Sequence, residues 1–403
     1  MLIKQVTTSL KEISRSLNDF IEDDKDPGLL TGYSGAALFY AYYYKLTGKK
    51  KYLDTVYLIV EKMLSALSEK ELTYSHCSGI SGMTWCIQHL VKEGFIETGE
   101  SEDMFEDVDA FLFDAMVHDL SQGFYDFLHL GLGVTLYFLD KLPHPALEHY
   151  LEDAVTLLEN TAEVNPRGIT WADRLSGNTP GKKQSLIYNL GLSHGVPAIL
   201  SILGMLYEKK IAVSKTLPLL TKGVDWLLSV KNKAGDNVDS LYPGIINTTI
   251  WDPAARQSRM GWCYGDMSIA TTLWNLGNRL KNTQYKQQAL TIFEHTLQHR
   301  NKENGNVHDA SLCHGSMGIS HMYRRMFRAT GDKAFLEGSQ QWLKETLFMA
   351  TWQDGLAGFK YKTAKGFKNS FNLLEGITGI GLAMIAAVDE TTLPSWDRCL
   401  LLS

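Results

Sequence analysis

Apolar positions along the chain fall into two alternating kinds of helical pattern. In the first, Leu147, Tyr150, Leu151, Ala154 and Leu158 recur at i, i+3, i+4, i+7 and i+11, while Glu148, Glu152 and Glu159 occupy the other side. That spacing predicts a helix with one buried face. Leu290, Phe293 and Leu297 follow the same rule, and Phe335, Trp342 and Leu347 lie in a similar stretch. In the second kind the segment is apolar nearly all round, as in V-P-A-I-L-S-I-L-G-M-L-Y over 196–207. Such a helix is covered on every side.

A glycine-containing turn opens each segment of the second kind. It recurs seven times, as G-Y-S-G at 32, G-I-S-G at 79, L-G-L-G at 130, L-S-H-G at 192, W-C-Y-G at 262, C-H-G-S at 313 and E-G-I-T-G at 375, at intervals of about 45 to 70 residues. Repetition of one supersecondary unit at this scale marks an array. Seven outer and seven inner helices, connected outer, turn, inner, predict an all-α fold, an α/α toroid (barrel), in one domain over 1–403. All the glycine turns would lie at one end of the inner ring, so that their side chains converge. Glycine suits them because the chain must take a positive φ or bring backbone against backbone just before a helix starts. Two intervals are longer and loop-rich, 164–188 and 232–258. Long loops in a compact domain are usually binding segments or lids; each of these is expected to form part of the rim of the active-site mouth, with room for a small insertion.

Composition narrows the functional classes. The 403 residues are 44% hydrophobic and 21% charged, which suits a large packed core and not disorder. A net charge of -6 without runs of lysine or arginine gives no electrostatic footprint for nucleic acid or an anionic membrane. The opening M-L-I-K-Q-V-T-T-S-L lacks an apolar signal region, and no stretch approaches the roughly eighteen apolar residues that span a bilayer. A cytoplasmic location is expected. Cys77, Cys86, Cys263, Cys313 and Cys399 are too few, and odd in number, for a disulfide framework.

Two of those cysteines carry the candidate chemistry. G-W-C-Y-G-D contains Cys263, and L-C-H-G-S, fifty positions on, contains Cys313 and His314. These are three soft ligands on equivalent turns, and three protein ligands on one zinc leave a fourth position for water or a substrate thiolate. Taken singly, either cysteine reads as a buried, inert core residue; the shared turn position and the adjoining histidine favour metal.

The turn series, with W-C-Y-G in the fifth repeat and C-H-G in the sixth, resembles the lanthionine synthetase C (LanC) family over essentially the whole chain. The resemblance implies an α/α toroid with one Zn2+ that closes thioether rings, adding cysteine thiols of a dehydrated precursor peptide to dehydroalanine or dehydrobutyrine. It makes Cys263, Cys313 and His314 the zinc ligands, His194 of S-H-G the acid/base histidine, and Asp126 of Y-D-F-L-H-L-G-L-G its carboxylate partner. Arg259 and Tyr264, flanking Cys263, are expected to line the site. One position departs from the pattern: Leu130 stands where the first glycine of the third turn belongs, so a different local backbone is expected around Asp126. Each residue also has a plainer reading: His194 as a turn histidine, Asp126 as a helix cap, Arg259 as a surface ion-pair partner, Tyr264 as a packing residue. His76 and Cys77 on the second turn are expected to be structural. His308 and Asp309 are expected to orient His314, and His321 to pack on an inner helix.

The reaction explains the residue types. A free thiol with a pKa of about 8.5 is only a few per cent ionised at neutral pH, so ionising it fully gains at most about thirtyfold. Holding thiolate and alkene in attack geometry is worth roughly 7–11 kcal/mol and is the larger effect. Attack places charge on the neighbouring amide oxygen, which Arg259 or Tyr264 can meet, and the α-carbon then needs a proton, which His194 can give. Related LanC-like proteins add glutathione to dehydrated residues in proteins, and this is the alternative activity; the tyrosine after Cys263 leans toward the cyclases. A non-catalytic, zinc-stabilised peptide-binding toroid is the third reading, and a prenyltransferase the last, for want of a basic diphosphate pocket. A dehydratase and an exporter are the expected partners beyond the peptide.

Overall fold

Each glycine turn does open a helix, and an amphipathic helix precedes each turn. The computed structural model describes residues 2–23, 25–69, 71–97, 105–175, 186–233, 238–248, 256–391 and 394–403. Among them are fourteen α-helices in strict alternation. The one-faced helices are α1 (Leu2–Asp23), α3 (Lys50–Glu69), α5 (Glu106–Gln122), α7 (Pro145–Thr161), α9 (Val213–Ser229), α11 (Thr283–His299) and α13 (Lys333–Phe348). The helices after the turns are α2 (Ser34–Thr47), α4 (Ile80–Lys92), α6 (Gly131–Lys141), α8 (Val196–Glu208), α10 (Asp266–Arg279), α12 (Ser316–Thr330) and α14 (Ile377–Val388).

The helices pack as two compact units, residues 1–103 with 306–396, and residues 104–305 with 397–403. In the first, α4, α2, α14 and α12 form a row in which each touches the next, with α3 against α2, α1 against α14 and α13 against α12. In the second, α6, α8 and α10 form the row, backed by α5 and α7 on α6, α9 on α8 and α11 on α10. The row helices are buried without a break, from Ser34 to Tyr43, Val196 to Leu206 and Ile377 to Ala386. Each fully buried Leu or Ile there contributes about 1.5–3 kcal/mol. The backing helices bury one face: α7 buries Leu147, Leu151, Ala154, Val155 and Leu158, and Tyr150 stacks on Phe113 with centroids 3.9 Å apart. On α11 the buried stripe is Tyr285, Ala289, Ile292, Phe293 and Thr296. Leu290 and Leu297, expected at its centre, lie at its margins, because Tyr285 and Ala289 turn the apolar face by one position.

Among the described residues, six short strands interrupt the helices: β1 (Glu163–Asn165), β2 (Gly168–Thr170), β3 (Ile187–Asn189), β4 (Ile245–Asn247), β5 (Tyr361–Thr363) and β6 (Gly366–Lys368). They form three two-stranded antiparallel sheets, β1 with β2, β3 with β4 and β5 with β6. The two loop-rich segments therefore pair with one another, Ile187 opposite Asn247 and Asn189 opposite Ile245. Their stretches 176–185, 234–237 and 249–255 lie outside the described residues.

Five of the seven turns share one backbone, the exceptions being the first, where Tyr33 is helical, and the fifth, at Gly265. The residue before the helix is extended at Gly79, Gly195, Gly315 and Gly376, with φ of -119°, -136°, -105° and -101°. Any residue can adopt such a φ, so crowding is what selects glycine: a Cβ on Gly195 would run into the Asn189 carbonyl, and one on Gly79 into that of Thr73. Gly265 alone among these has a positive φ, 100°. Leu130 keeps the common geometry, φ -127°, with its side chain half-exposed. The altered backbone expected there does not occur.

Candidate active site and metal ligands

Counted from the residue that opens each helix, the site residues occupy two fixed places. His194, Tyr264 and His314 immediately precede Gly195, Gly265 and Gly315, and Cys263 and Cys313 stand one position earlier. The third turn puts His129 in the same place, before Leu130. The sequence reading missed His129, although superposing the turns finds it.

The 104–305 unit holds most of the expected catalytic residues. His194 Nδ1 lies 2.8 Å from Asp126 Oδ2, while Asp126 Oδ1 accepts from the backbone N–H groups of Leu128 and His129, each at 2.9 Å. Burial works against charge on both side chains. It is outweighed by their mutual hydrogen bond and attraction, so the Asp126 carboxyl is held below its ordinary range and the His194 imidazole above its own. The pair is thus biased toward its charged form, in which Nδ1 donates to the carboxylate and Nε2 is the second ring donor.

Tyr264 stands beside it, its ring centroid 6.1 Å from that of His194. Its hydroxyl accepts from Asn189 Nδ2 at 3.0 Å, and the Asn189 side-chain oxygen accepts from the Gly191 N–H at 2.9 Å. Burial, only partly opposed by the Asn189 bond, raises the phenol's pKa, so it remains an O–H donor at neutral pH. Asn189 is the last residue of β3, which gives the rim sheet a direct part in placing Tyr264; only an N-L-G signature before the fourth turn hinted at it. Asp126, Trp171, Asp173, Arg174, Asn189, His194 and Tyr264 line a cavity of about 240 Å³.

Cys263 is buried, 6% exposed, and its carbonyl accepts from Ser193 Oγ at 3.2 Å. Arg259, four residues before it, is half-buried. A buried ion pair underlies this turn: Arg300 meets Asp266, and also donates to the carbonyls of Ser258 at 2.6 Å and Asn304 at 3.0 Å. Asp266 in turn accepts from the backbone N–H groups of Leu241 and Tyr242 at 3.0 and 2.9 Å. Trp262 is anchored from another direction, its Nε1 donating to the Leu400 carbonyl at 2.6 Å.

The other unit holds Cys313 and His314. Cys313 is 8% exposed, and its N–H donates to the Leu374 carbonyl at 2.9 Å. His314 Nε2 faces Asp309 Oδ2 at 3.6 Å. Asp309 is 2% exposed and accepts from the N–H groups of Ser311 at 2.9 Å and Lys362 at 2.8 Å. Burial would raise its pKa, but His314 and these donors outweigh that and hold the carboxyl low. A fixed carboxylate on one nitrogen of His314 leaves the other to act as a ligand.

The other histidines singled out in the sequence sort clearly. His308, expected beside Asp309 as a support for His314, is exposed and bonds Asn306 Oδ1 at 2.7 Å. The turn buries Asp309 and points its predecessor outward, so that half of the expectation is corrected. His321 is buried on α12 and stacks on Trp396 at 5.1 Å. His76 and Cys77 are both buried in the second turn, where the Cys77 carbonyl accepts from the Leu30 N–H at 2.8 Å.

The donor set suits zinc. Cys263 and Cys313 are nearly shielded from water, His314 has an acidic partner, and all three stand on turns whose backbone is fixed by crowding; two thiols and an imidazole are ligands that zinc favours over harder cations. No described helix is long and apolar enough to cross a membrane.

Comparison with known proteins bears on the fold and the family. A nisin cyclase matches with a TM-score of 0.75 at 20% identity, over 99% of this chain and 98% of its own. This likeness carries the fold, the α/α toroid. A sugar epimerase from a ruminal bacterium and a cellobiose 2-epimerase from Bacillus thermoamylovorans match at TM-scores of 0.42 and 0.43, each at 11% identity, over 98% and 95% of this chain and 100% of theirs; scores this low carry no conclusion. The family described as Lanthionine synthetase C-like protein matches residues 23–401, and the chain belongs to it.

Proposed function

We propose that the protein is a lanthipeptide cyclase that joins cysteine thiols of a dehydrated precursor peptide to dehydroalanine or dehydrobutyrine, forming lanthionine or methyllanthionine rings. The observation that carries this reading is the Asp126–His194 pair, set beside Tyr264 on the wall of a cavity in a member of the lanthionine synthetase C-like family. The similarity to a nisin cyclase points the same way.

Cys263, Cys313 and His314 are proposed to hold one zinc ion. When bound, zinc keeps a coordinated thiol deprotonated at neutral pH. The remaining work falls to the chain. As the substrate sulfur bonds to the β-carbon, the alkene electron pair moves onto the neighbouring amide oxygen, and Arg259 or the Tyr264 hydroxyl stabilises the charge that develops there. His194 then gives a proton to the α-carbon. Asp126 keeps the imidazole charged and fixes its orientation through Nδ1. The imidazole regains its proton from solvent, where the thiol's proton was released, so the step is a net addition.

The test is incubation of the purified protein with a dehydrated precursor bearing free cysteines, with and without a chelator. Loss of free thiols within one peptide at unchanged mass, abolished by the chelator, is expected. A gain of glutathione's mass when glutathione is supplied would assign the intermolecular reaction instead, and no thiol loss at all would reject the cyclase.

A further inference from the structure

His129 stands beside the Asp126–His194 pair as a donor that the proposed reaction does not use. It follows Asp126 by three residues on the same turn, and its ring lies 5.7 Å from that of His194 with 19° between the planes. Ligand atoms of Asp126, His129 and His194, one from each, all lie within 4.8 Å of one another. His129 is exposed and the other two are half-buried, so the group opens to solvent. Two imidazoles and a carboxylate with open positions beside them form a donor set that takes zinc and neighbouring divalent transition metals.

The local structure favours such a site. Backbone N–H groups of Leu128 and His129 occupy Asp126 Oδ1, which fixes the carboxylate and leaves Oδ2 directed at His194. The 2.8 Å between Oδ2 and Nδ1 is shorter than the roughly 3.4 Å between two ligands held tetrahedrally by bonds of about 2.0–2.2 Å, so a metal replacing the shared proton need only part them slightly. His129, on an exposed side chain, can close the rest by rotation. The group contains no thiol, which distinguishes it chemically from the Cys263, Cys313 and His314 set.

We propose that Asp126, His129 and His194 form a second, weaker transition-metal site whose occupation blocks the reaction. With Nδ1 on a metal the His194 ring is a neutral ligand and no longer an imidazolium, so it holds its Nε2 proton too tightly to act as the acid, and Asp126 is drawn from orienting His194 to binding the ion. Excess free zinc would then silence the enzyme while its resident ion stays in place. Inhibition rests on the proposed cyclase reaction; metal uptake does not.

Equilibrium dialysis of the intact protein against buffered zinc, followed by metal analysis, reads the uptake. A second, weaker equivalent is expected. Loss of an outer-shell partner already costs about 10–100-fold in affinity, so His129→Ala is expected to weaken that equivalent at least about tenfold. The same variant should leave the first equivalent and ring closure at low zinc unchanged, and should need correspondingly more zinc for inhibition. With cobalt as the probe, the second equivalent should add no thiolate-to-metal charge-transfer absorption. In Cys263→Ala the first equivalent should disappear and the His129-dependent one remain, which separates this site from the proposed catalytic one. No uptake sensitive to His129→Ala overturns the site; His129-dependent uptake that leaves ring closure undiminished overturns the inhibition.

Discussion

Arg300 meets Asp266 at 2.9 Å in a place where neither side chain has any exposure to solvent. The pair ties the Leu241–Tyr242 backbone and the Ser258 carbonyl to the start of α10, three residues beyond Cys263. Removing one partner leaves the other charge buried, which costs about 3–5 kcal/mol. Arg300→Ala should lower unfolding stability by that amount in urea titrations, and Asp266→Asn combined with Arg300→Met should cost less than the two single changes summed.

If His194 acts as an acid, ring closure requires its protonated form. The rate of the chemical step should therefore fall as pH rises through the elevated pKa of His194. Asp126→Asn removes the charge that holds this value up, so the falling limb should move to lower pH. His194→Ala should reduce turnover about 10²–10⁴-fold with metal content unchanged. Single-turnover rates across pH check both, and a limb that stays in place in Asp126→Asn would contradict the coupling.

The same pair predicts a stability window. The ordinary values are 3.8 for the carboxyl and 6.5 for the imidazole. His194 is raised, so its contribution is complete below 6.5 and is lost as pH rises through its folded value. Asp126 is lowered, so its contribution is complete above 3.8 and is lost as pH falls through its folded value. The pair should stabilise the protein most between about pH 4 and 6.5. The stability difference between wild type and Asp126→Asn, followed by urea titration at several pH values, should be largest there and shrink on both sides.

Asp309 faces His314 from a buried position. Asp309→Asn keeps the shape and removes the charge. Zinc affinity, measured by competition with a chromogenic chelator, should fall about 10–100-fold. An unchanged affinity would show that His314 needs no acidic partner.

Gly195 and Leu130 occupy equivalent places and should respond oppositely. Gly195→Ala drives a methyl group into the Asn189 backbone, disturbing the residue that holds Tyr264, and should be destabilising by about 1–3 kcal/mol, as overpacking generally is. Leu130→Gly keeps an accessible backbone and should cost at most about 1 kcal/mol. Thermal unfolding of the two variants makes the comparison.

Much of this was legible in the sequence because repetition and burial act together. An all-apolar segment such as Val196–Leu206 can only be a wrapped helix, and a glycine at each start is forced by backbone crowding, so the helix order followed directly. The proposed metal ligands and His194 stood out because their chemistry is rare at turn positions. Asn189 and His129 did not: their roles depend on β3 pairing with β4 across 58 residues, and on a turn whose glycine is replaced by Leu130. Neither relation leaves a local trace in hydropathy. The α11 stripe was misplaced by one position for a similar reason, since Tyr285 reads as readily as a surface residue as a core one.

Residues 397–403 pack with 104–305, and Trp262 waits for the Leu400 carbonyl. On the ribosome, each packing unit therefore waits for a segment made long after its first residues, 306–396 for one and 397–403 for the other. The turn bearing Cys263 thus gains its Leu400 anchor well over a hundred positions after its own residues emerge, which makes its completion a late event in the life of the nascent polypeptide.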